Sequence, residues 1–130
     1  MILIECVGRR GVRRDIYYGI SGSTVASLRT AAKFPNMPDQ SDIVDSFYSS
    51  DLGTNYGQRL SGYWIVPKTS NYTFYIVSDD SSELWLALNG NASTKSLYAY
   101  VNGYNSNLNN YGKYTTQHTA KIPLNAGMTL

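Results

Sequence analysis

Cysteine occurs once in these 130 residues, at Cys6, so the chain holds no internal disulfide, no cysteine-built zinc site and no thiol redox pair. Histidine also occurs once, at His118, and no Gly-x-Ser-x-Gly elbow supplies a nucleophile, so a catalytic triad has no starting point. A satisfied or solvent-facing His118 follows. Charge is scarce as well, at 15% of residues and a net +2. The one basic cluster, Arg9-Arg10 with Arg13-Arg14, is too small and isolated to track a phosphate backbone, so nucleic acid is not an expected partner. No apolar run has the length of a membrane span, and no membrane insertion is expected. Residues 1–7 are apolar, but Glu5 breaks them and they lack a basic leader and a cleavage site, so they read as a first strand rather than a signal peptide.

What the chain has is tyrosine, asparagine, serine, threonine and glycine, with 12 Tyr and 11 Gly. That composition favours strands and turns over helix and suits a β-rich extracellular binding module. The length fits a single domain over residues 1–130 with a modest core. Residues 11–18 read as a strand ending at Gly19. Ser23 or Thr24 then caps a short helix through Ala32, with Val25, Leu28 and Ala32 on its buried stripe and Pro35 as its stop. Residues 34–55 read as a long irregular connection. Residues 58–66 alternate, with Leu60, Gly62, Trp64 and Val66 on one face, and the 67–71 turn leads to a hairpin partner at 72–77 that is apolar on both faces. Leu84, Leu86 and Leu88 alternate inward, Asn89-Gly90 is a tight turn, and 97–101 and 116–124 complete the strands. The fold class expected is all-β, an antiparallel sandwich or barrel with one short helix.

The 72–86 run, YTFYIVSDDSSELWL, places Asp79 and Asp80 side by side between two strand-prone segments with no Lys or Arg nearby in sequence. Adjacent carboxylates at a strand end are hard oxygen ligands, and calcium is the natural ion for them. Successive side chains on an extended strand point to opposite sides, so the pair can converge on one ion only if the backbone between them is unusual; a cis peptide bond would suffice. The alternative is an Asx-type turn in which both side chains accept backbone N–H groups and no ion is needed.

Three segments carry a family resemblance: RRDIYYGISG at 13–22, NYGQRLSGY at 55–63, and NYTFYIVSDDSSELWL at 71–86. Their order and spacing resemble the PA14 domain, the family of the N-terminal part of anthrax protective antigen, also found in adhesins, glycosidases and fibrocystin-like receptors. The later IPLNAG at 122–127 is similar to the family's approach to its closing strands. The resemblance implies a β-sandwich or barrel in an extracellular or cell-surface setting, within a larger multidomain chain. In several members such a domain binds carbohydrate through calcium held by two consecutive aspartates, here Asp79 and Asp80. The ion's open positions take sugar hydroxyls in place of water. In sugar-binding relatives a loop between the last strands supplies further ligands, whereas this sequence stops at Met128-Thr129-Leu130, where a strand is due. The C-terminal closing strands are therefore expected to be lacking, which leaves a sheet edge open unless another segment completes it.

The 102–114 loop is the candidate for ligand contact, through Asn102, Tyr104, Asn105, Asn107 and Tyr111. Amides offer donors and acceptors together, and tyrosines add flat amphipathic area; a solvated variable loop is the alternative. The family carries a tryptophan where Tyr111 or a neighbour stands here. Trp64 and Trp85 could stack on sugars but are read mainly as core, with Trp85 facing away from Leu84 and Leu86. Asn71-Tyr72-Thr73 and Asn91-Ala92-Ser93 fit the glycosylation sequon, Asn91 being the more accessible on this reading. Glu83 with Asp79 or Asp80 could imitate a glycosidase pair, but needs a deep cleft that a small barrel rarely provides. The expected function is therefore a non-catalytic carbohydrate-binding module using calcium, with a glycan or glycoprotein as partner. Its rival is a structural or protein-interaction domain of a cell-surface or toxin-like protein.

Overall fold

The computed structural model describes residues 11–130. The strand expected at 1–7, with Cys6, Arg9 and Arg10, lies outside the described residues. Seven antiparallel strands and one short helix follow in the order β1 (Val12–Tyr18), α1 (Val25–Arg29), β2 (Gln40–Val44), β3 (Tyr56–Ser61), β4 (Ser70–Tyr72), β5 (Ser82–Leu86), β6 (Ser96–Val101) and β7 (Ile122–Leu124). They form a three-stranded sheet in the order β2-β1-β3 and two strand pairs, β4-β7 and β5-β6. The fold is all-β as expected, and these sheets do not close into a barrel among the described residues.

Residues 34–55 are less irregular than their prolines and aspartates suggest. Residues 40–44 form β2 along the β1 edge, with Ile16 opposite Gln40 and Arg14 opposite Asp42. Arg14 secures that edge: its Nε donates to Asp42 Oδ1 at 2.9 Å and its Nη2 to Oδ2 at 2.5 Å. An edge strand held by an ion pair has no need of the apolar alternation that identifies a buried one.

Helix α1 ends at Arg29, short of the expected end at Ala32. Thr24 caps it by accepting from the Ser27 N–H, and Val25 and Leu28 are buried, but Ala32 is exposed and Ala31 packs inward in its place. The Thr30 N–H donates to the Ala26 carbonyl at 3.0 Å, and its hydroxyl reaches both that carbonyl at 2.9 Å and the Ser27 carbonyl at 3.3 Å, an acceptor with no N–H partner inside the helix.

The 67–71 segment is not a hairpin turn. Residues 117–130 run antiparallel to the whole of 64–76: β4 pairs with β7, Tyr75 with His118, and Ile65 with Thr129. Residues 64–76 are thus one bent strand, interrupted where Pro67 removes a ladder donor. The expectation that both faces of 72–77 are buried also fails: Ile76 points inward and Tyr75 outward, 55% exposed. The 116–124 segment is not one regular strand, since it opens with a 3-10 turn, Thr115–Gln117.

The larger core gathers Leu84 and Leu86 of β5, Ala99 and Val101 of β6, Ile122 and Leu124 of β7, and Val66, Ile76 and Leu130 from the flanking segments. The period-two pattern of Leu60, Gly62, Trp64 and Val66 holds, with Trp64 edge-on to Tyr72 at 5.2 Å and to Phe74 at 5.5 Å. A smaller core joins Tyr17, Ile20 and Leu28 and seats α1 on the first sheet.

Candidate functional site

The acidic pair sits on the connection between Ile76 and β5, and the backbone on either side of it is clamped. Ser78 is buried, and its Oγ lies 2.6 Å from both the Asp80 carbonyl and Ser82 Oγ. Ser78 is the donor in both contacts, with its single proton shared between the carbonyl and the Ser82 oxygen. The Ser81 N–H donates to the Ser23 carbonyl at 3.3 Å, and Ser81 Oγ accepts the Gly103 N–H at 3.1 Å. The Asn105 N–H reaches the Ser78 carbonyl at 2.9 Å. Small hydroxyl residues around the aspartates thus fix the turn to two neighbouring loops, one ahead of α1 and one after β6.

Asp79 and Asp80 are both exposed, and the peptide bond between them is cis. Among the described residues neither carboxylate accepts a hydrogen bond or pairs with a cation. The Asx-turn alternative requires those oxygens to accept backbone N–H groups, and none does. Exposed Asp45 shares that lack of partners among the described residues, but it stands alone, and several other acidic residues are used differently. Asp15 meets Arg13, Arg59 and Ser41, Asp42 meets Arg14, and Asp39 meets Lys33. Two adjacent, unneutralised carboxylates on a held backbone form an all-oxygen donor set that suits a hard cation. They fall short of a full calcium shell by themselves, and no group of three acidic, histidine or cysteine residues gathers among the described residues. Remaining ligands would have to be neutral oxygens or water.

The 102–114 loop divides into scaffold and surface. Asn105 is 2% exposed, and its Nδ2 donates to the Asn110 carbonyl at 2.6 Å, so its side chain staples the loop. Gln117 is buried beside it and bonds the Ile76 carbonyl at 3.0 Å, the Asn110 carbonyl at 3.3 Å and the Tyr114 N–H at 2.9 Å. Asn107 accepts the Asn109 N–H at 3.1 Å, a local turn. Asn102, Tyr104, Asn107 and Tyr111 are exposed. The Lys113 ammonium lies 4.3 Å from the Tyr104 ring centroid and donates to the Tyr104 carbonyl at 2.7 Å. Tyr111 meets Tyr75 edge to face, which brings the loop against a strand residue not singled out in the sequence. The signal was there in principle: in the alternation of 72–77, Tyr75 is out of phase with buried Ile76.

Glu83 is taken. It pairs with Arg29 and accepts the Trp85 indole N–H at 2.7 Å, while Arg29 lies over the Trp85 ring at 5.2 Å. Its carboxylate is thus committed to structure, and Trp85 does turn away from Leu84 and Leu86. His118 is solvent-facing.

The PA14 domain pattern matches residues 19–96, which includes the aspartate turn and its β5 flank. The chain belongs to the PA14 domain family. This PA14 domain is 31% identical over 104 residues to the mouse N-acetyl-beta-glucosaminyl-glycoprotein 4-beta-N-acetylgalactosaminyltransferase 1, covering 80% of the chain and 10% of the relative. It is 25% identical over 80 residues to dog fibrocystin and 27% identical over 88 residues to mouse fibrocystin, covering 62% and 68% of the chain. It spans 2% of either fibrocystin, so in these relatives the matched segment is a small part of a much longer protein. No solved structure matches.

Proposed function

We propose that this PA14 domain is a non-catalytic carbohydrate-binding module in which Asp79 and Asp80 hold a calcium ion and the ion presents open positions to a sugar diol. The observation that carries the reading is the pair of exposed carboxylates, free of protein partners among the described residues, on a turn clamped beside an Asn- and Tyr-rich loop. When bound, calcium supplies positive charge and a flexible oxygen shell that exchanges water for vicinal hydroxyls. Asn102, Tyr104, Asn107 and Tyr111 are the exposed loop residues placed to contact the glycan; Asn105 supports them from below. The mouse relative is named for transfer of N-acetylgalactosamine to glycoproteins, which supports a glycan or glycoprotein partner, while membership of the PA14 family and the likeness to fibrocystin support an extracellular or cell-surface setting within a larger chain.

The test is a calcium titration by calorimetry on the domain beside Asp79→Asn and Asp80→Asn, followed by a glycan array read with calcium and with EDTA. Saturable calcium binding lost in both variants, with array signals that EDTA abolishes, is the expected result; wild-type protein that takes up no calcium overturns the reading. One observation favours a second reading, a protein-contact domain: Ile43, Tyr48 and Ile65 are large apolar side chains more than half exposed. Retention on a protein surface that neither sugars nor EDTA reverse would select it.

A further inference from the structure

Tyr75 and His118 face each other across an antiparallel bridge fixed by backbone hydrogen bonds on both sides. The Ile76 N–H donates to the Gln117 carbonyl at 2.8 Å, and the Thr119 N–H to the Phe74 carbonyl at 3.0 Å. Ile76, Gln117 and Thr119 are buried, so the alternation of the extended chain turns Tyr75 and His118 to the opposite, outer face. There Tyr75 stands 55% exposed, on a backbone bonded to the neighbouring segment on both sides.

Tyr75 is not alone. Tyr111, 45% exposed, meets it with centroids 5.9 Å apart and planes at 75°, while the His118 ring lies 5.7 Å away at 48°. Two rings close to perpendicular make a base and a wall, an arrangement that leaves ring surface open to a flat ligand. His118 Nδ1 is 3.3 Å from the Thr119 carbonyl. A carbonyl only accepts, so in this contact Nδ1 is the donor and Nε2 is the nitrogen left to serve a ligand. Apolar ring faces beside phenol hydroxyls and a ring nitrogen match a pyranose, which has an apolar C–H face and a rim of hydroxyls. A protein partner would instead need a contact of roughly 1,000 Å² or more with a desolvated core, far larger than this corner.

The corner and the aspartate turn lie on one chain segment and share a neighbouring loop. Tyr75 stands four residues before Asp79, roughly 13 Å along an extended chain, which is longer than one pyranose ring. The loop that supplies Tyr111 is the one whose Asn105 N–H binds the Ser78 carbonyl.

We propose that Tyr75, walled by Tyr111 and His118, is an aromatic subsite that stacks an inner pyranose of an oligosaccharide whose outer sugar occupies the Asp79–Asp80 site. The inference rests on the carbohydrate-binding reading, and it makes the ligand an oligosaccharide rather than a single sugar.

The test uses an array that carries each terminal sugar both as the monosaccharide and at the end of di- and trisaccharides, read for wild type, Tyr75→Ala, Tyr75→Phe and Tyr63→Ala. Tyr63 is an exposed tyrosine outside the cluster and serves as control. Longer glycans should bind wild type about tenfold more tightly than their monosaccharides. Tyr75→Ala should lose that gain and keep monosaccharide binding and calcium uptake, while Tyr75→Phe retains most of it and Tyr63→Ala all of it. Calcium-dependent sugar binding without length dependence, or a Tyr75→Ala variant that binds oligosaccharides as wild type does, overturns the subsite and leaves the calcium site standing. Length-dependent, Tyr75-dependent binding that EDTA does not touch supports the subsite and overturns the calcium reading. An array with no signal at all overturns both.

Discussion

Asn105 donates its backbone N–H to the Ser78 carbonyl at 2.9 Å, which ties the 102–114 loop to the strand end that bears Asp79 and Asp80. Its side chain holds the loop from the other direction through the Asn110 carbonyl at 2.6 Å, with Gln117 sharing that acceptor at 3.3 Å. Asn105→Ala removes the shorter bond and leaves a small void, and should cost about 1–2 kcal/mol. Urea denaturation checks the magnitude. Amide exchange should quicken through residues 102–111, and glycan affinity should fall although no exposed contact residue has changed. Unaltered exchange in that stretch would mean that the backbone bond to Ser78 holds the loop by itself.

Calcium should raise the melting temperature, because an ion that binds only the folded turn stabilises it by mass action. At a hundredfold excess over the dissociation constant the gain is about 2.7 kcal/mol. EDTA should remove it. Without calcium, Asp79→Asn or Asp80→Asn relieves repulsion between adjacent like charges and should melt at or slightly above the wild type; with calcium, either variant should show no shift. Differential scanning fluorimetry with and without calcium reads both arms, and a variant that keeps the full calcium shift removes its residue from the site.

The strands that could be read from sequence are those whose alternation is enforced by one buried face, such as Leu84 and Leu86 in β5 or Leu60 in β3. Pairing was less legible. Pro67 and Asn71 carry the chemistry of a hairpin turn, yet residues 64–76 continue in one direction because 117–130 pairs with both halves, a long-range choice that no local residue encodes. β2 escaped because Arg14 and Asp42 hold it by charge. At the site, Asp79 and Asp80 stand out because two like charges between apolar runs have no local explanation. Asn105 and Asn107 cannot be told apart in an Asn-rich loop, although one is a buried staple and the other is exposed. Tyr75 and His118 lie 43 positions apart in the sequence, and only the bridge between them brings the rings together.

Acid should weaken the first sheet before it touches the rest of the fold. Burial alone would raise the Asp15 carboxyl, but hydrogen bonds from Ser41, Arg59 and Arg13 outweigh it and hold the group below its ordinary value. Asp42 is held down by its bonds from Arg14, and Asp39 by Lys33 and the Tyr18 N–H. A folded-state value below the unfolded one gives stability that is fully present above the unfolded value, about 3.9, and is lost as pH falls through the folded one. Urea midpoints should therefore be insensitive to these groups from pH 5 to 8 and drop below about pH 4. Asp15→Asn should flatten part of that drop and cost about 3 kcal/mol at neutral pH, since it removes the buried carboxylate charge on which Arg13, Arg59 and Ser41 converge. A variant with the wild-type acid limb would show that Asp15 does not govern it.

Gly57 is required by Leu28 rather than by its own backbone. A Cβ at this β3 position would lie 2.9 and 3.0 Å from the two Leu28 methyl carbons, on the side chain that seats α1 against the first sheet. Gly57→Ala should cost about 1–3 kcal/mol through overpacking, against the small gain in strand propensity that alanine brings elsewhere. A double-mutant cycle separates the two effects. In a Leu28→Ala background the clash has no partner, so Gly57→Ala should become neutral or mildly stabilising, with a coupling of about 1–3 kcal/mol. Equal penalties in both backgrounds would place the demand for glycine in the strand itself, and the seat of the helix would then rest on Tyr17 and Ile20 instead.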